Sequence, residues 1–183
     1  MSRWRILAVD DDPDILELIE MSLADTYDVL TVSTPSLALE LVETFEPDLI
    51  ILDIMMPKVT GYQLIETLRQ RRDTARLPVI FLSAKDTIRD QKYGYKLGAT
   101  TYLTKPFQPE RLTRNIGNIF DHTPPGRHPK RWTLGEARER LRNLLAEQSA
   151  PPPPAPAKLQ MPGMPKTVHH RESQAPDDSK WRL

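Results

Sequence analysis

The chain has 183 residues, with 25 basic and 25 acidic side chains, 18 prolines and no cysteine. The lack of cysteine excludes disulfides and cysteine-ligated metals. The opening stretch, MSRWRILAVDDD, has only four consecutive apolar residues, which is too short a run for a signal peptide or a membrane span. We therefore expect a cytoplasmic protein that does not contact the membrane. The zero net charge is a cancellation, because residues 1–121 carry a net charge of −5 and residues 122–183 carry +5 together with 11 of the prolines. This division predicts an acidic globular part followed by a basic, proline-rich extension.

Five short apolar runs alternate with helical patterns in the first 121 residues. The runs predict strands at residues 6–9, 29–32, 49–52, 79–82 and 101–103. Apolar residues at helical spacing follow each run, and the pairs Asp12–Pro13 and Thr34–Pro35 each place a capping residue before a proline, as at a helix start. Five β–α units predict an α/β fold with a parallel, doubly wound sheet and helices on both of its faces.

Polar residues collect where these predicted strands end. Asp10 and Asp11 follow the first strand, Asp53 the third, Ser83 the fourth, and Lys105 comes just after the fifth. Each alone could be a solvated loop residue or a turn former. The carboxyl ends of parallel strands meet at one edge, however, and this edge is where such folds bind ligands. We therefore interpret the set as one site.

Three carboxylates at one edge need a counter-charge. Asp10, Asp11 and Asp53 would repel one another and raise one another's pKa values unless a cation were present. A hard divalent ion with oxygen ligands, such as Mg²⁺, meets this need. Magnesium sites of this kind commonly serve phosphoryl chemistry, in which a lysine balances the phosphoryl charge and a hydroxyl donates to a phosphoryl oxygen.

Four segments in order, RILAVDDDPDIL, PDLIILDIMMPKVTG, PVIFLSAK and TYLTKPF, resemble the motifs of the response-regulator receiver domain of two-component signalling. The resemblance covers roughly residues 4–121 and implies a flavodoxin-like fold. It implies that Asp53 accepts a phosphoryl group from a phosphohistidine on a sensor histidine kinase or a phosphotransfer protein. It also implies that Asp10, Asp11, Asp53 and the backbone carbonyl of Met55 hold Mg²⁺.

The resemblance further assigns residues to the switch. Ser83 and Lys105 match the hydroxyl and the lysine that act on the phosphoryl group, and Ser83 and Tyr102 match the pair whose movement reports activation. A downstream protein is then expected to bind the face formed by the fourth helix, fifth strand and fifth helix. The product is a conformational state, so we expect a self-phosphorylating and self-dephosphorylating switch, not a metabolic enzyme. The main rival enzyme class on similar folds is the haloacid-dehalogenase-type phosphohydrolase, which also uses an aspartyl phosphate. That class needs a second acid two residues after the nucleophile. This chain has Met55 there, which argues against such an enzyme.

The 62 residues after Asp121 predict a linker at 122–132, an amphipathic helix at 133–149 and a proline-rich tail at 150–183 that we expect to be disordered. Trp132 occupies a hydrophobic-staple position, and Thr133 and Glu136 form a capping box. The helix carries an apolar stripe of Leu134, Ala137, Leu141, Leu144 and Leu145 and an opposite face of Arg138, Glu139, Arg140 and Arg142. This stripe must pack on the globular part, on a second copy in a homodimer, or on a partner.

Two alternative functions remain open at this point. One is a DNA-binding transcriptional regulator of cryptic type. The extension is too short for a winged-helix domain, and Glu136, Glu139 and Glu147 dilute its basic character. We therefore expect no nucleic-acid binding. A scaffold that works without phosphorylation is the other, but the complete set of acids, hydroxyl and lysine argues against it. His169 and His170 lack further spaced ligands, and we interpret them as solvated.

Overall fold

A computed structural model describes residues 3–85, 87–122 and 132–149, all within the first of the two compact units of the chain, Met1–Ala150. Five strands form one parallel sheet in the order β2-β1-β3-β4-β5. The strands are β1 (Arg5–Val9), β2 (Asp28–Val32), β3 (Leu49–Asp53), β4 (Val79–Ser83) and β5 (Thr101–Thr104). The predicted five-stranded α/β fold is confirmed.

Helices cover both faces of the sheet. They are α1 (Pro13–Leu23), α2 (Ala38–Phe45), α3 (Gly61–Gln70), α4 (Ile88–Lys96), α5 (Pro109–Asp121) and α6 (Leu134–Ser149). The buried residues of α1 and α5 pack on one face, and those of α2, α3 and α6 pack on the other. Because both faces are covered, every residue of β1, β3 and β4 is buried, which explains why these strands are apolar runs without alternation.

The element ends differ slightly from the sequence prediction. Asp53 and Ser83 are the last residues of β3 and β4, because the parallel register continues through them to Leu82 and Thr104. Asp12 caps α1 as predicted, with its carboxylate accepting from the Asp14 N–H at 3.0 Å.

The predicted helix start at Thr34–Pro35 is the start of a short 3-10 helix, and the α-helix α2 follows it. Thr34 precedes a short 3-10 turn, Pro35–Leu37, and its side chain makes no capping hydrogen bond. The Leu37 N–H donates to the Thr34 carbonyl at 3.1 Å, which is the tighter three-residue bond of such a turn, so α2 begins only at Ala38.

The sixth helix packs on its own globular part, which decides among the three options left by the sequence. Its capping box is formed, since the Glu136 carboxylate accepts from the Thr133 N–H at 2.6 Å and the Thr133 hydroxyl accepts from the Glu136 N–H at 3.3 Å. Ala137 and Leu144 are buried in the same cluster as residues of α2 and β2. The N-terminal end is tied down by the Arg5 guanidinium, which donates to the Trp132 carbonyl.

Two arginines of the polar face of α6 form ion pairs with neighbouring helices. Arg138 pairs with Glu20 of α1, and Arg140 pairs with Glu40 of α2 at 2.5 Å. Both reach these acids because α6 contacts α2 and β2, the strand at one edge of the sheet. Arg138 also donates to the Val29 carbonyl at 3.3 Å, so α6 covers part of an edge that could otherwise pair with another chain.

Most of the predicted linker at 122–132, and the predicted tail at 150–183 with His169 and His170, lie outside the described residues and stay predictions. Among the described helices, none is long and apolar enough to cross a membrane.

Candidate functional site

Asp53 ends a strand that is otherwise entirely apolar. It lies at the carboxyl end of β3, between β1 and β4 in the middle of the sheet, and it is only 3% exposed. An unpaired carboxylate would be costly at such a position. Its Oδ1 lies 2.9 Å from the Lys105 Nζ, so the charge has a partner that the sequence places 52 residues away. The surrounding strands fix the carboxylate in position.

The two aspartates after β1 complete an acidic cluster. Carboxylate oxygens of Asp10, Asp11 and Asp53 all lie within 4.8 Å of one another. Asp10 and Asp53 are buried, whereas Asp11 is exposed. The cluster therefore has a protected interior and one member at the surface, where a ligand can reach it.

Lys105 bridges the two buried acids. Its Nζ lies 2.6 Å from Asp10 Oδ2 as well as 2.9 Å from Asp53 Oδ1. Burial by itself would lower the pKa of Lys105, but the hydrogen bonds and charges of both aspartates outweigh it and raise that pKa. Burial raises the pKa of Asp10, and the hydrogen bonds from Lys105 and the Asp12 N–H oppose this rise. The ammonium is thus held charged between two carboxylates.

The net charge of the site is negative, which favours binding of a divalent cation. Three clustered carboxylates and one ammonium carry a formal net charge of −2. Closely spaced carboxylate oxygens, one of them accessible, are the donors that hard divalent cations prefer. Asp10, Asp11 and Asp53 therefore fit a metal ion of this class. Met55, predicted to contribute its backbone carbonyl, follows β3 by two residues and has an exposed side chain.

The predicted switch residues are joined through one loop residue. Ser83 is buried, and its hydroxyl accepts from the Lys85 N–H at 3.0 Å. The Tyr102 hydroxyl donates to the Lys85 carbonyl at 2.9 Å. The Tyr102 ring is buried on β5 and makes an edge contact with Phe81, so it occupies the inward position. Two hydrogen bonds thus connect the end of β4 with the ring on β5.

One residue of the site was missed by the sequence analysis. Gly61 begins α3, and a Cβ atom there would lie 2.3 Å from the Asp53 carbonyl oxygen. Its N–H donates to the Ile54 carbonyl at 3.1 Å, which holds the start of α3 against the end of β3. Only glycine allows this approach. The available signal was a glycine directly after Thr60, which caps α3.

Comparison with known proteins agrees with this geometry. The sequence model of the response regulator receiver domain matches residues 6–117. The chain belongs to this family. It is 41% identical over 117 residues to the alkaline phosphatase synthesis transcriptional regulatory protein PhoP of Bacillus subtilis, covering 63% of this chain and 48% of that protein. It is 38% identical over 120 residues to the DNA-binding dual master transcriptional regulator RpaA of Synechocystis, covering 65% and 50%.

The solved structures lead to the same family. The receiver domain of the Francisella response regulator 1452 is 32% identical, with a TM-score of 0.63, and the match covers 67% of this chain and all of that domain. By contrast, the chain spans about half the length of PhoP and RpaA. What is shared with those two relatives is therefore the receiver domain, which makes the chain part of two-component signalling.

Proposed function

We propose that the chain is a phosphorylation-dependent switch that accepts a phosphoryl group on Asp53 from a phosphohistidine of a sensor histidine kinase or a phosphotransfer protein. The observation that carries this proposal is the buried Asp53 carboxylate, which β3 holds in place and which pairs with Lys105. It belongs to an acidic cluster whose negative net charge a divalent ion can balance. We place this activity in the cytoplasm, where ATP-dependent histidine phosphorylation takes place. Its product is a conformational state, so the chain is a switch and not a metabolic enzyme.

Each side chain has a defined task in the proposed transfer. An Asp53 oxygen attacks the phosphorus, the bond between phosphorus and the imidazole nitrogen breaks, and the imidazole leaves. Asp10, Asp11, Asp53 and the Met55 carbonyl would hold Mg²⁺, which supplies positive charge to the phosphoryl oxygens. Lys105 can keep its contact with Asp10 while it binds a phosphoryl oxygen, since its ammonium has three donors.

The proposed signal then leaves the site through Ser83. If the Ser83 hydroxyl turns to donate to the phosphoryl group, the Lys85 N–H loses its acceptor. The loop that also accepts from Tyr102 is then free to move, which changes the relative populations of two states. We propose that a downstream protein binds the face formed by α4, β5 and α5 and distinguishes these states.

Phosphoryl labelling tests the proposal directly. The parent protein, incubated with a small phosphodonor or a phosphohistidine protein and Mg²⁺, should take up one phosphoryl group per chain, and a chelator should abolish this uptake. The Asp53→Asn variant should take up none. Asp12→Asn is the matched control, because Asp12 lies on the same edge but outside the carboxylate cluster. Labelling of the Asp53→Asn variant would show that another residue is the acceptor.

A second candidate function is regulation of transcription through DNA binding. The names of PhoP and RpaA favour it, but the matched part is about half of each. A gel-shift experiment with genomic fragments, with and without phosphorylation, separates a DNA-binding regulator from a switch that acts through protein contacts. A phosphorylation-independent scaffold would bind its target equally with the Asp53→Asn variant.

A further inference from the structure

The Tyr62 hydroxyl, on the first turn of α3, is a buried polar group without a hydrogen-bond partner in the described part of the chain. One other buried side-chain oxygen there lacks a hydrogen bond, Asp10 Oδ2, but it faces the Lys105 Nζ at 2.6 Å. The Tyr62 hydroxyl has no such compensation. A hydroxyl that is removed from water and left unpaired is unfavourable, and proteins retain few of them. Its presence suggests that the hydroxyl is paired in another state of the molecule.

Tyr62 belongs to an aromatic cluster that links α3, β4, α4 and β5. Its ring stands edge-on to Phe81, with 5.6 Å between the ring centroids, and edge-on to Tyr93 at 5.0 Å. Tyr102 contacts the same Phe81 ring at 6.4 Å, so Tyr62 and Tyr102 are neighbours of one buried ring. Burial first and the nearby Tyr102 second raise the pKa of Tyr62 to about 12. The backbone of α4 closes the cluster, because a Cβ atom at Gly94 would lie 3.1 Å from a ring carbon of Phe81 and 3.2 Å from one of Tyr102.

The Tyr102 hydroxyl is bonded to the loop after β4 in this structure. It donates to the Lys85 carbonyl at 2.9 Å, and the Lys85 N–H donates to the Ser83 hydroxyl at 3.0 Å. In the proposed function, the Ser83 hydroxyl turns to the phosphoryl group, and Lys85 is released. Movement of Lys85 then removes an acceptor from the Tyr102 hydroxyl. A nearby group that can replace this acceptor would favour the movement, and the Tyr62 hydroxyl is such a group.

We propose that Tyr62 is a further residue of the switch, whose hydroxyl forms a hydrogen bond with the Tyr102 hydroxyl when Lys85 moves. A tyrosine hydroxyl can both donate and accept, so one bond satisfies both groups. The hydrogen bond lost at Lys85 is replaced, and the hydroxyl that was unpaired gains a partner. A group that is unpaired in one state and paired in the other shifts the equilibrium toward the second state. The inference rests on the proposed function, because phosphorylation of Asp53 is what moves Lys85.

Beryllium fluoride, which binds an aspartate carboxylate as an analogue of a phosphoryl group, serves as the probe. We would add it to the full chain at a fixed Mg²⁺ concentration and follow the urea midpoint, because the stabilisation by a ligand reports its dissociation constant. The test variant is Tyr62→Phe, which keeps the ring and removes the hydroxyl. The control is Tyr27→Phe, which removes the hydroxyl of a partly buried tyrosine that packs on Phe120 at the other face of the sheet. Tyr62→Phe is also made in a Tyr102→Phe background.

We expect Tyr62→Phe to bind the analogue about fivefold more weakly than the parent, which is the effect of one neutral hydrogen bond that exists only in the bound state. Tyr27→Phe should bind the analogue like the parent. In the Tyr102→Phe background, Tyr62→Phe should have no effect, because the partner hydroxyl is already absent. Unchanged binding by Tyr62→Phe would overturn the proposal. A loss that persists in the Tyr102→Phe background, or an equal loss in Tyr27→Phe, would overturn it as well, because either would indicate a general structural effect.

A Ser83→Ala background separates this inference from the proposed function. Without the Ser83 hydroxyl, the Lys85 N–H loses its acceptor although no phosphoryl group is present. Tyr62→Phe should then lower the equilibrium constant for folding about fivefold, whereas it should be neutral in the parent. A parent protein that does not bind beryllium fluoride would argue against phosphorylation of Asp53, and the Ser83→Ala background would then decide the inference. An effect of Tyr62→Phe in that background supports the bond between the two hydroxyls, and no effect there refutes it.

Discussion

Removing the Lys105 ammonium should destabilise the metal-free protein. The Lys105→Met change keeps the apolar stem but leaves Asp10 and Asp53 buried beside each other without a cation. Breaking a buried ion pair costs about 3–5 kcal/mol. We expect the lower part of this range, about 3 kcal/mol, because Asp11 opens the cluster to water. Urea unfolding in the presence of a chelator measures this loss as a lower midpoint at an unchanged slope.

Magnesium should reverse most of this loss. Without the ammonium, the formal charge of the cluster changes from −2 to −3, so the variant should bind a divalent ion more tightly than the parent does. A ligand at 100 times its dissociation constant stabilises the folded state by about 2.7 kcal/mol. The difference in unfolding free energy between parent and variant should therefore shrink as Mg²⁺ is added. Lys85→Met is the matched control, and its exposed side chain should contribute less than about 0.5 kcal/mol.

Two results would contradict this reasoning. The first is an identical urea midpoint for parent and Lys105→Met with chelator, which would mean that the lysine does not neutralise the buried acids. The second is a difference between the two proteins that stays constant up to saturating Mg²⁺, which would mean that the ion and the lysine do not act on the same charges.

Two further predictions concern the sixth helix and the tyrosines. Leu144→Ala should lower the free energy of unfolding in urea by about 3 kcal/mol at any protein concentration. Arg142→Ala, on the exposed face of α6, should lower it by less than about 0.5 kcal/mol. Equal effects of the two substitutions would argue against packing of α6 on the receiver. The Tyr62 hydroxyl is buried without a hydrogen-bond partner among the described residues, and burial raises the pKa of Tyr62 to about 12. Tyr62→Phe should therefore leave the free energy of unfolding unchanged and should remove one tyrosine ionisation at high pH from an absorbance titration. Tyr102→Phe loses the hydrogen bond to the Lys85 carbonyl and should lower the free energy of unfolding by about 1 kcal/mol.

Much of the site followed from the sequence because it depends on local rules. An apolar run without alternation indicates a strand buried on both faces, and parallel strands bring their carboxyl ends to one edge. Recognising β1, β3 and β5 therefore places Asp10, Asp53 and Lys105 at the same edge, although the rule does not give the strand order, in which β4 lies between β3 and β5. The distances of 2.6 and 2.9 Å between them are details that the same rules cannot supply.

Other features could not be predicted because they depend on contacts between distant segments. The capping signals before Pro13 and Pro35 look alike, yet only Asp12 makes the side-chain bond that starts an α-helix directly, while Thr34 precedes a 3-10 turn. An apolar stripe shows that α6 buries one face, but it does not show which surface receives it. Arg138 and its partner Glu20 are 118 residues apart in the chain, and no local pattern links them.

The helices at the two ends of the sheet are held in different ways, and this difference bears on where a signal from Asp53 can go. At the β2 end, α6 buries Ala137 and Leu144 and forms two ion pairs with neighbouring helices. At the β4–β5 end, α4 buries only Gly94, and its capping residue follows Lys85 by two positions. Elements with few buried contacts have the smallest free energies of local opening. A rearrangement of the two bonds at Lys85 should therefore act first on α4, the less anchored of these two helices, while α6 stays packed at the opposite edge of the sheet.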